Sequence, residues 1–464
     1  MAEIFTRKFS EVSGGRFDAE YYRDEFVKLE QTIQAKTSLK LSDFIINISS
    51  GATPDKKEAW KYYTEDKKSG IPFLRVQNIK PDTTISSDFI YITKETHENM
   101  LKRSQVFEND LIITITGRLG TAAVAPKGFI GNINQHSVVI KTKNLQTSQA
   151  LATFLNTSIG EKLSIRRATG GTRPALDYKA LKSIPIIYNE TIYHIIEKAN
   201  QLALQKENKA KELLDSIDSY LLEELGIILP LRTNNTLDSR IYTQKISALS
   251  GSRFDANYHQ PYYKKFEQAL ESGKYKTLRL VDICQFRRGS FPQPYGNQEW
   301  YGGANAMPFV QVADIDDNFE LKEKTNQQIS QLAQPKSVFV SQNTIILSIQ
   351  GTIGRVAITQ YDCYVDRTIA IFTELSNLLN QHFLAYMLSI LFKNKADTAR
   401  GITLKTITKE EFRNFKIPLP PLTEQERIAK EIAQRKATAK ALKQEAKELL
   451  ESAKKEVEHI ILGG

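Results

Sequence analysis

The stretch Ser13-Gly14-Gly15-Arg16-Phe17-Asp18-Ala19-Glu20-Tyr21 returns 237 residues later as Ser250-Gly251-Ser252-Arg253-Phe254-Asp255-Ala256-Asn257-Tyr258. More of the chain repeats in the same order. Leu39-Lys40-Leu41-Ser42-Asp43 answers Leu278-Arg279-Leu280-Val281-Asp282, and Ile71-Pro72-Phe73-Leu74 answers Met307-Pro308-Phe309-Val310. The run from Leu111 to Gly120 answers that from Thr344 to Gly354. A period of half the chain describes two copies of one unit. The offsets drift only slightly, so the copies differ by small loop insertions and diverge between the shared anchors. A common scaffold with divergent loops is what binding modules of different specificity need.

Each copy reads as mixed α/β (α+β). Short β-rich runs at 111–116, 137–142, 344–349 and 368–373 are bounded by Gly, Pro and Asn, and helical stretches follow near 147–166 and 376–398. A long amphipathic helix is predicted after each copy, over 190–225 and 422–462. In the first, Ile192, Ala199, Leu213 and Tyr220 share one heptad position, and Ile196, Ala203, Ala210 and Ile217 share the other. In the second, Ile428, Leu442 and Leu449 run beside Ile432, Ala439, Ala446, Ala453 and Ile460. This 3–4 spacing calls for a partner helix, and the repeat supplies one within the chain. Thr423 with Glu426 reads as a capping box, and Gly226 as a stop. The expected organisation is an N-terminal arm and first globular domain over 1–188 and a spacer helix over 189–226. An arm and second globular domain follow over 227–420, and a second spacer helix over 421–464. The two helices run antiparallel, roughly 54–62 Å long, with a pseudo-twofold relation between the halves.

Charge points to a polyanion. The net charge is +10, and its excess lies in the globular blocks: 21 Lys+Arg against 13 Asp+Glu over 39–188, and 15 against 13 over 278–420. Catalytic patterns are missing. The six histidines form no metal-ligand spacing, and two cysteines allow neither a disulfide framework nor a cysteine-rich zinc site. No Walker, G-x-G-x-x-G or G-x-S-x-G pattern occurs, nor the Asn-Pro-Pro-aromatic motif of amino-methyltransferases. No apolar run reaches membrane length and the N-terminus has no signal-peptide regions, so a cytoplasmic protein without membrane contact is expected. The chain is expected to bind and position rather than catalyse.

In combination, several elements resemble the specificity subunits of type I restriction–modification systems. They are Arg16–Tyr22 with its second copy, Gly51-Ala52-Thr53-Pro54 ahead of Ile71-Pro72-Phe73-Leu74, and the Gly-x-x-Gly turns 117–120 and 351–354. The series closes with Ile417-Pro418-Leu419-Pro420-Pro421-Leu422-Thr423-Glu424-Gln425-Glu426-Arg427-Ile428. The chain departs from that pattern at Ile184–Glu190, which lacks the Pro-Pro opening, and Gly-x-Thr-Pro shows no clean second copy. The resemblance implies a non-catalytic subunit binding double-stranded DNA, each globular domain reading one half of a bipartite site. It implies two methyltransferase subunits docked on the helices, and two restriction subunits joining for cleavage. S-adenosylmethionine, ATP and Mg would be carried by those partners, with no cofactor in this chain. The competing reading is a protein-interaction scaffold with duplicated domains on a coiled-coil spacer.

If DNA is the ligand, contacts should come from loop residues able to reach phosphates and base edges. The candidates in the first copy are Lys56, Lys57, Lys61, Gln77, Asn78, Arg118, Arg166, Arg167, Thr172 and Arg173. In the second they are Arg287, Arg288, Gln293, Gln298, Arg355, Arg400, Thr403 and Lys405. Trp60 and Trp300 are read as caps of their loops. Arg16-Asp18 and Arg253-Asp255, common to both copies, cannot distinguish two half-sites. They are expected to form a buried ion pair joining the arm to the helices.

Overall fold

The structure is a computed structural model that describes residues 5–12, 16–232, 241–249, 253–254, 256, 258–316, 319–400 and 405–463. Its principal helices are α1 (Asp24–Gln34), α2 (Leu145–Leu155), α3 (Ser158–Arg167), α4 (Thr191–Glu224), α5 (Pro261–Glu271), α6 (Gln381–Lys395) and α7 (Leu422–Leu462). The chain divides into two compact units, one of residues 1–208 with 442–464 and the other of residues 209–441. Each unit therefore takes part of both long helices.

In the first unit, β1 (Asn47–Ser50), β3 (Leu111–Thr114), β4 (Ala122–Val124) and β6 (Ser137–Lys141) form an antiparallel sheet ordered β1-β6-β3-β4. A second, mixed sheet contains β2 (Ile71–Leu74) paired parallel to β5 (Ile130–Ile133). The run Leu111-Ile112-Ile113-Thr114 is buried along its whole length because it is covered on both faces. Leu111 and Ile113 face Leu151, Phe154 and Leu155 of the helical layer, while Ile112 faces Leu74, Ile133 and Val139 between the sheets. Strand alternation thus serves two cores, and burying each such side chain stabilises by about 1.5–3 kcal/mol.

The second unit repeats this plan with β7 (Gln285–Arg288), β8 (Met307–Val310), β9 (Ile345–Ser348), β10 (Val356–Ile358), β11 (Cys363–Val365) and β12 (Ile369–Thr373). Its antiparallel sheet is ordered β7-β12-β9-β10, and β8 pairs parallel to β11. Ile345 and Leu347 face the α6 side chains Phe383 and Met387; Ile346 faces Val310 and Val365. Both units are mixed helix and sheet, as the sequence indicates.

One helix expected over 147–166 is two. Asn156 ends α2 and turns its amide onto the Ala122 backbone at 2.9 and 2.7 Å, and Thr157 caps α3 through the Gly160 N–H at 3.1 Å. Gly160 permits the break, since a Cβ there would lie 2.4 Å from the Phe154 carbonyl oxygen.

The long helices appear where the heptads place them, and in each unit their segments pack antiparallel. In the first unit Ile192, Ile196 and Ala199 share a core with Ala453, Val457 and Ile461, and Lys206 pairs with Glu445 at 2.5 Å. In the second, Ile217 and Leu221 pack with Ile428 and Ile432, and Arg435 donates to the Ser216 hydroxyl at 2.9 Å. Two details depart from the sequence reading. The buried track of α7 leaves the strict heptad after Ala453 for Val457 and Ile461, so Ile460 is only half-buried. This follows the natural 3.6-residue turn against a globular body. The helix also begins at Leu422, which puts Thr423 inside the first turn, and no Thr423–Glu426 capping box forms. The Glu424 and Gln425 N–H groups instead donate to the Pro421 carbonyl at 2.9 and 3.1 Å. Buried Gln425 ties the helix start to the Asn380 N–H and the Leu378 and Pro420 carbonyls. Gly226 stops α4 at φ +65°, as expected.

The strongest polar link in the first unit is buried. Glu30 of α1 receives Arg166 and Arg167, the last two residues of α3, the latter at 2.5 Å. Removing one member of a buried charge cluster leaves uncompensated charge. Glu30→Ala is expected to lower stability by about 3–5 kcal/mol in denaturant unfolding. Glu25→Ala, which removes exposed ion pairs, should cost about 0–1 kcal/mol.

Candidate nucleic-acid interface

Both units end their parallel strand in the same turn. After β5, the Asn134 N–H donates to the Leu74 carbonyl at 3.1 Å; after β11, the Asp366 N–H donates to Val310 at 3.0 Å. Each of these buried side chains folds back on its own backbone. Asn134 Oδ1 accepts the His136 N–H at 3.1 Å, and Asp366 Oδ1 accepts the Thr368 N–H at 2.9 Å and its hydroxyl at 2.6 Å. These are Asx turns, which throw the middle residue outward. The middle residues are Gln135 and Arg367, both exposed.

A glycine packs directly on each turn. A Cβ on Gly51 would lie 2.0 Å from the Asn134 carbonyl oxygen, and one on Gly289 2.4 Å from that of Asp366. The Gly51 N–H bonds to Ser137 and the Gly289 N–H to Ile369, at 3.1 and 2.9 Å. Gly51-Ala52-Thr53-Pro54 therefore does have a second copy, Gly289-Ser290-Phe291-Pro292, with both prolines buried. Sequence comparison missed it because only Gly and Pro, the two residues the backbone requires, are retained. The third residue of each meets the outward side chain: the Thr53 hydroxyl donates to Gln135 Oε1, and the Arg367 guanidinium stands 4.9 Å over the Phe291 ring.

Two further loops join this end of each central strand. The Ile115 N–H donates to His136 and the Leu176 N–H to Ile115, both at 2.9 Å, which brings in the hairpin bridged at Thr169–Ala175. Its tip carries Thr172 and Arg173, both exposed and without a side-chain partner among the described residues. In the second unit Ile349 donates to Thr368 and Ile407 to Ile349, and Arg400 and Thr406 form the equivalent bridge. Thr403 lies outside the described residues, as does the Lys56 side chain.

Several proposed contact residues turn out to hold the fold. Arg166 and Arg167 are buried on Glu30, with further bonds to the Tyr21 carbonyl and the Ser183 hydroxyl. Asn78 is fully buried, its amide closing a turn on the Asp88 carbonyl at 2.7 Å and the Arg75 N–H at 2.8 Å. Asp314 fills that place in the second unit. Arg118 donates to the carbonyls of Val76 and Ile79 at 2.9 and 3.0 Å; Arg355 donates to Val312 and Ile315 at 3.3 and 3.2 Å. The two arginines sit at different points of their Gly-x-x-Gly turns yet brace equivalent loops. Charge made the four arginines candidates and a polar amide made Asn78 one; burial or committed donors place all five in the scaffold.

Others face solvent. Lys57 and Gln77 are exposed, and Gln77 reaches Asp88 at 3.3 Å. Lys61 pairs with Glu58 at 2.6 Å beside Trp60, whose ring is 78% exposed and caps nothing. Trp300 does cap its loop: it is buried, bonds the Pro294 carbonyl at 3.0 Å and lies under Lys336 at 4.3 Å. Gln293 and Gln298 are exposed on the same loop. Exposed Arg287 and Arg288 each donate once to backbone, at 3.2 and 3.0 Å, Arg400 pairs with Glu411 at 3.3 Å, and Lys405 is half-buried.

The repeated arm arginines anchor as a pair of equivalents, but to a different place than expected. Arg16 donates to the carbonyls of Arg167 and Ala168 at 2.9 and 2.6 Å, and Arg253 to that of Thr398 at 2.8 Å. Each thus closes the end of a helical segment, where carbonyls lack partners. The Arg16–Asp18 pair is partly exposed at 2.6 Å, and Asp255 lies outside the described residues. Arg253 also bonds Glu411 at 2.5 Å. Burial raises the Glu411 carboxyl, but hydrogen bonds from Thr408 and Arg253 outweigh it and hold the group below its ordinary range. This stabilisation is present above the unfolded carboxylate value and is lost as pH falls through the folded one.

Among the described residues no group of three or more His, Cys, Asp or Glu could hold a metal, and no helix is long and apolar enough to cross a membrane. Both cysteines are buried, and burial pushes their thiols up to about 12, so neither is a thiolate at neutral pH. The arrangement offers surface donors and acceptors on a rigid backbone. That rigidity has a test: Gly51→Ala should destabilise the chain by about 1–3 kcal/mol in thermal or urea unfolding. Gly171→Ala, whose Cβ meets nothing within 4 Å, should leave stability nearly unchanged.

Comparison with known proteins bears on this surface. A family model described as the type I restriction modification DNA specificity domain matches residues 36–214 and again 272–452. A putative type I restriction enzyme MjaX specificity subunit from Methanocaldococcus jannaschii is 32% identical over 127 residues, covering 27% of this chain and 29% of that protein. The type I restriction enzyme MjaVIII specificity subunit of the same organism is 22% identical over 175 residues, covering 37% and 38%. The aligned segments thus span well under half of either relative. A crystal structure of a type I restriction-modification S subunit from M. genitalium is 13% identical, covers 91% of this chain and 95% of its own, and gives a TM-score of 0.42.

Proposed function

Because the chain belongs to the type I restriction–modification specificity subunits, we propose that it reads double-stranded DNA, each globular domain contacting one half of a bipartite target. The carrying observation is that the family match falls twice, once in each repeat. The turn-forming residues that the copies share are buried: the Asx residue and the glycine against it. What they do not share is exposed around that turn. The chain has no catalytic part of its own in this reading. The long helices set the distance between the half-sites and dock two methyltransferase subunits, which carry S-adenosylmethionine. Restriction subunits with ATP and Mg would join for cleavage.

Two measurements test the reading. Contacts to several phosphates release counterions, so affinity for a specific duplex should fall about 10³–10⁵-fold between 50 and 200 mM salt if 6–10 phosphates are engaged. A salt-insensitive association would favour the protein-scaffold reading. Inserting one heptad into both α4 and α7 adds ~10 Å of helix, about three base pairs of duplex at 3.4 Å each. The non-specific gap in the methylated sequence should lengthen accordingly, with both half-sites kept. An unchanged gap would remove the ruler role from the helices.

A further inference from the structure

Resting on that reading of the chain, we propose that Gln135 and Arg367 are corresponding base-reading side chains. Gln135 selects adenine, and Arg367 guanine, at one position of the half-site read by its own domain. The correspondence follows from strand register. Phe73 and Leu74 of β2 pair with Asn132 and Ile133, and Phe309 and Val310 of β8 pair with Tyr364 and Val365. Counting two residues on from Ile133 and from Val365 reaches Gln135 and Arg367. The Asx hydrogen bond and the bond from the glycine packed behind it recur at the same places in both copies.

The backbone at this point is built identically twice, and the side chain it projects is exposed and different. Gln77 and Ala313 occupy another turn built in both copies, but there only one copy projects a hydrogen-bonding side chain; at Gln135 and Arg367 both copies do. Arg118 and Arg355 do the same structural task in both copies and so cannot tell two sequences apart. Gln135 and Arg367 differ where the scaffold does not.

Their chemistry sets the preference. An amide presents one acceptor and one donor edge, matching N6–H and N7 of adenine, whereas a guanidinium presents paired donors, matching O6 and N7 of guanine. Each is oriented by the third residue of the Gly-x-x-Pro segment. The Thr53 hydroxyl occupies one lone pair of Gln135 Oε1 and leaves the other for a base amino group. Phe291 lies under the Arg367 guanidinium, which makes no hydrogen bond to any described residue. Thr172 and Arg173, on the hairpin joined to the same strand end through Ile115, are placed to hold the adjacent phosphates.

The test is substitution in the native host followed by genome-wide mapping of methylated adenines. Gln135→Arg should change one position of one half-site from adenine to guanine, with the other half-site and the gap retained. Gln135→Ala should make that position degenerate, losing about tenfold or more in discrimination. Arg367→Gln should do the converse in the other half. The retained half-site reports a folded chain in each case. A motif unchanged by both Gln135 substitutions, or altered in both halves by one of them, overturns the proposal while leaving the DNA-reading function intact. Loss of all methylation in Gln135→Ala with normal amounts of folded chain also overturns it, because one exposed contact should not carry the whole site. If the wild-type chain itself directs no bipartite motif, the function and the proposal fall together.

Discussion

The close approach of a glycine to an Asx turn is the constraint on which the surface of each unit depends. At Gly51 and Gly289 a single methyl group would collide with main-chain oxygen atoms, which cannot swing aside. The turn it supports closes on a buried Asn134 or Asp366, and from there hydrogen bonds reach the central strand and the hairpin beyond it. Three loops are thereby held at one end of a strand that is itself covered on both faces. Loops supported this way can change side chains without changing shape.

Arginine is divided between scaffold and surface on the same principle. Arg166 and Arg167 share Glu30 in the interior, Arg118 and Arg355 brace a neighbouring turn, and Arg16 and Arg253 close the ends of helices. A guanidinium carries five donors in a fixed fork, so it can satisfy several carbonyls whose other partners end at a turn. Much of the basic excess near these loops therefore holds backbone together. Local positive charge does not by itself mark a free surface donor here.

How much was legible in the sequence follows from what each signal records. The repeat, the strands at 111–114 and 345–348 and both long helices were readable because they rest on periodicity and apolar burial, which survive divergence. The second Gly-x-x-Pro was not readable, since the backbone asks only for Gly and Pro there and lets the residues between them vary. Arg166 and Arg167 looked like a basic patch because their partner, Glu30, is far away in the chain and carries no local signature. Gln135 and Arg367 gave no signal at all. They differ in type, so a repeat search passes over them, and only the strand register shows them to be the same position. Trp60 and Trp300 show the same limit: alike in sequence context, one is exposed and the other buried under Lys336.

At the centre of the proposed function, two copies of a rigid scaffold would direct adenine methylation to a bipartite sequence. Comparing methylated adenines across a host genome with and without this chain tests it directly. A single class of sites should disappear, made of two unlike half-sites at a fixed separation. An unchanged methylation pattern, or the loss of a site with only one continuous element, would contradict it.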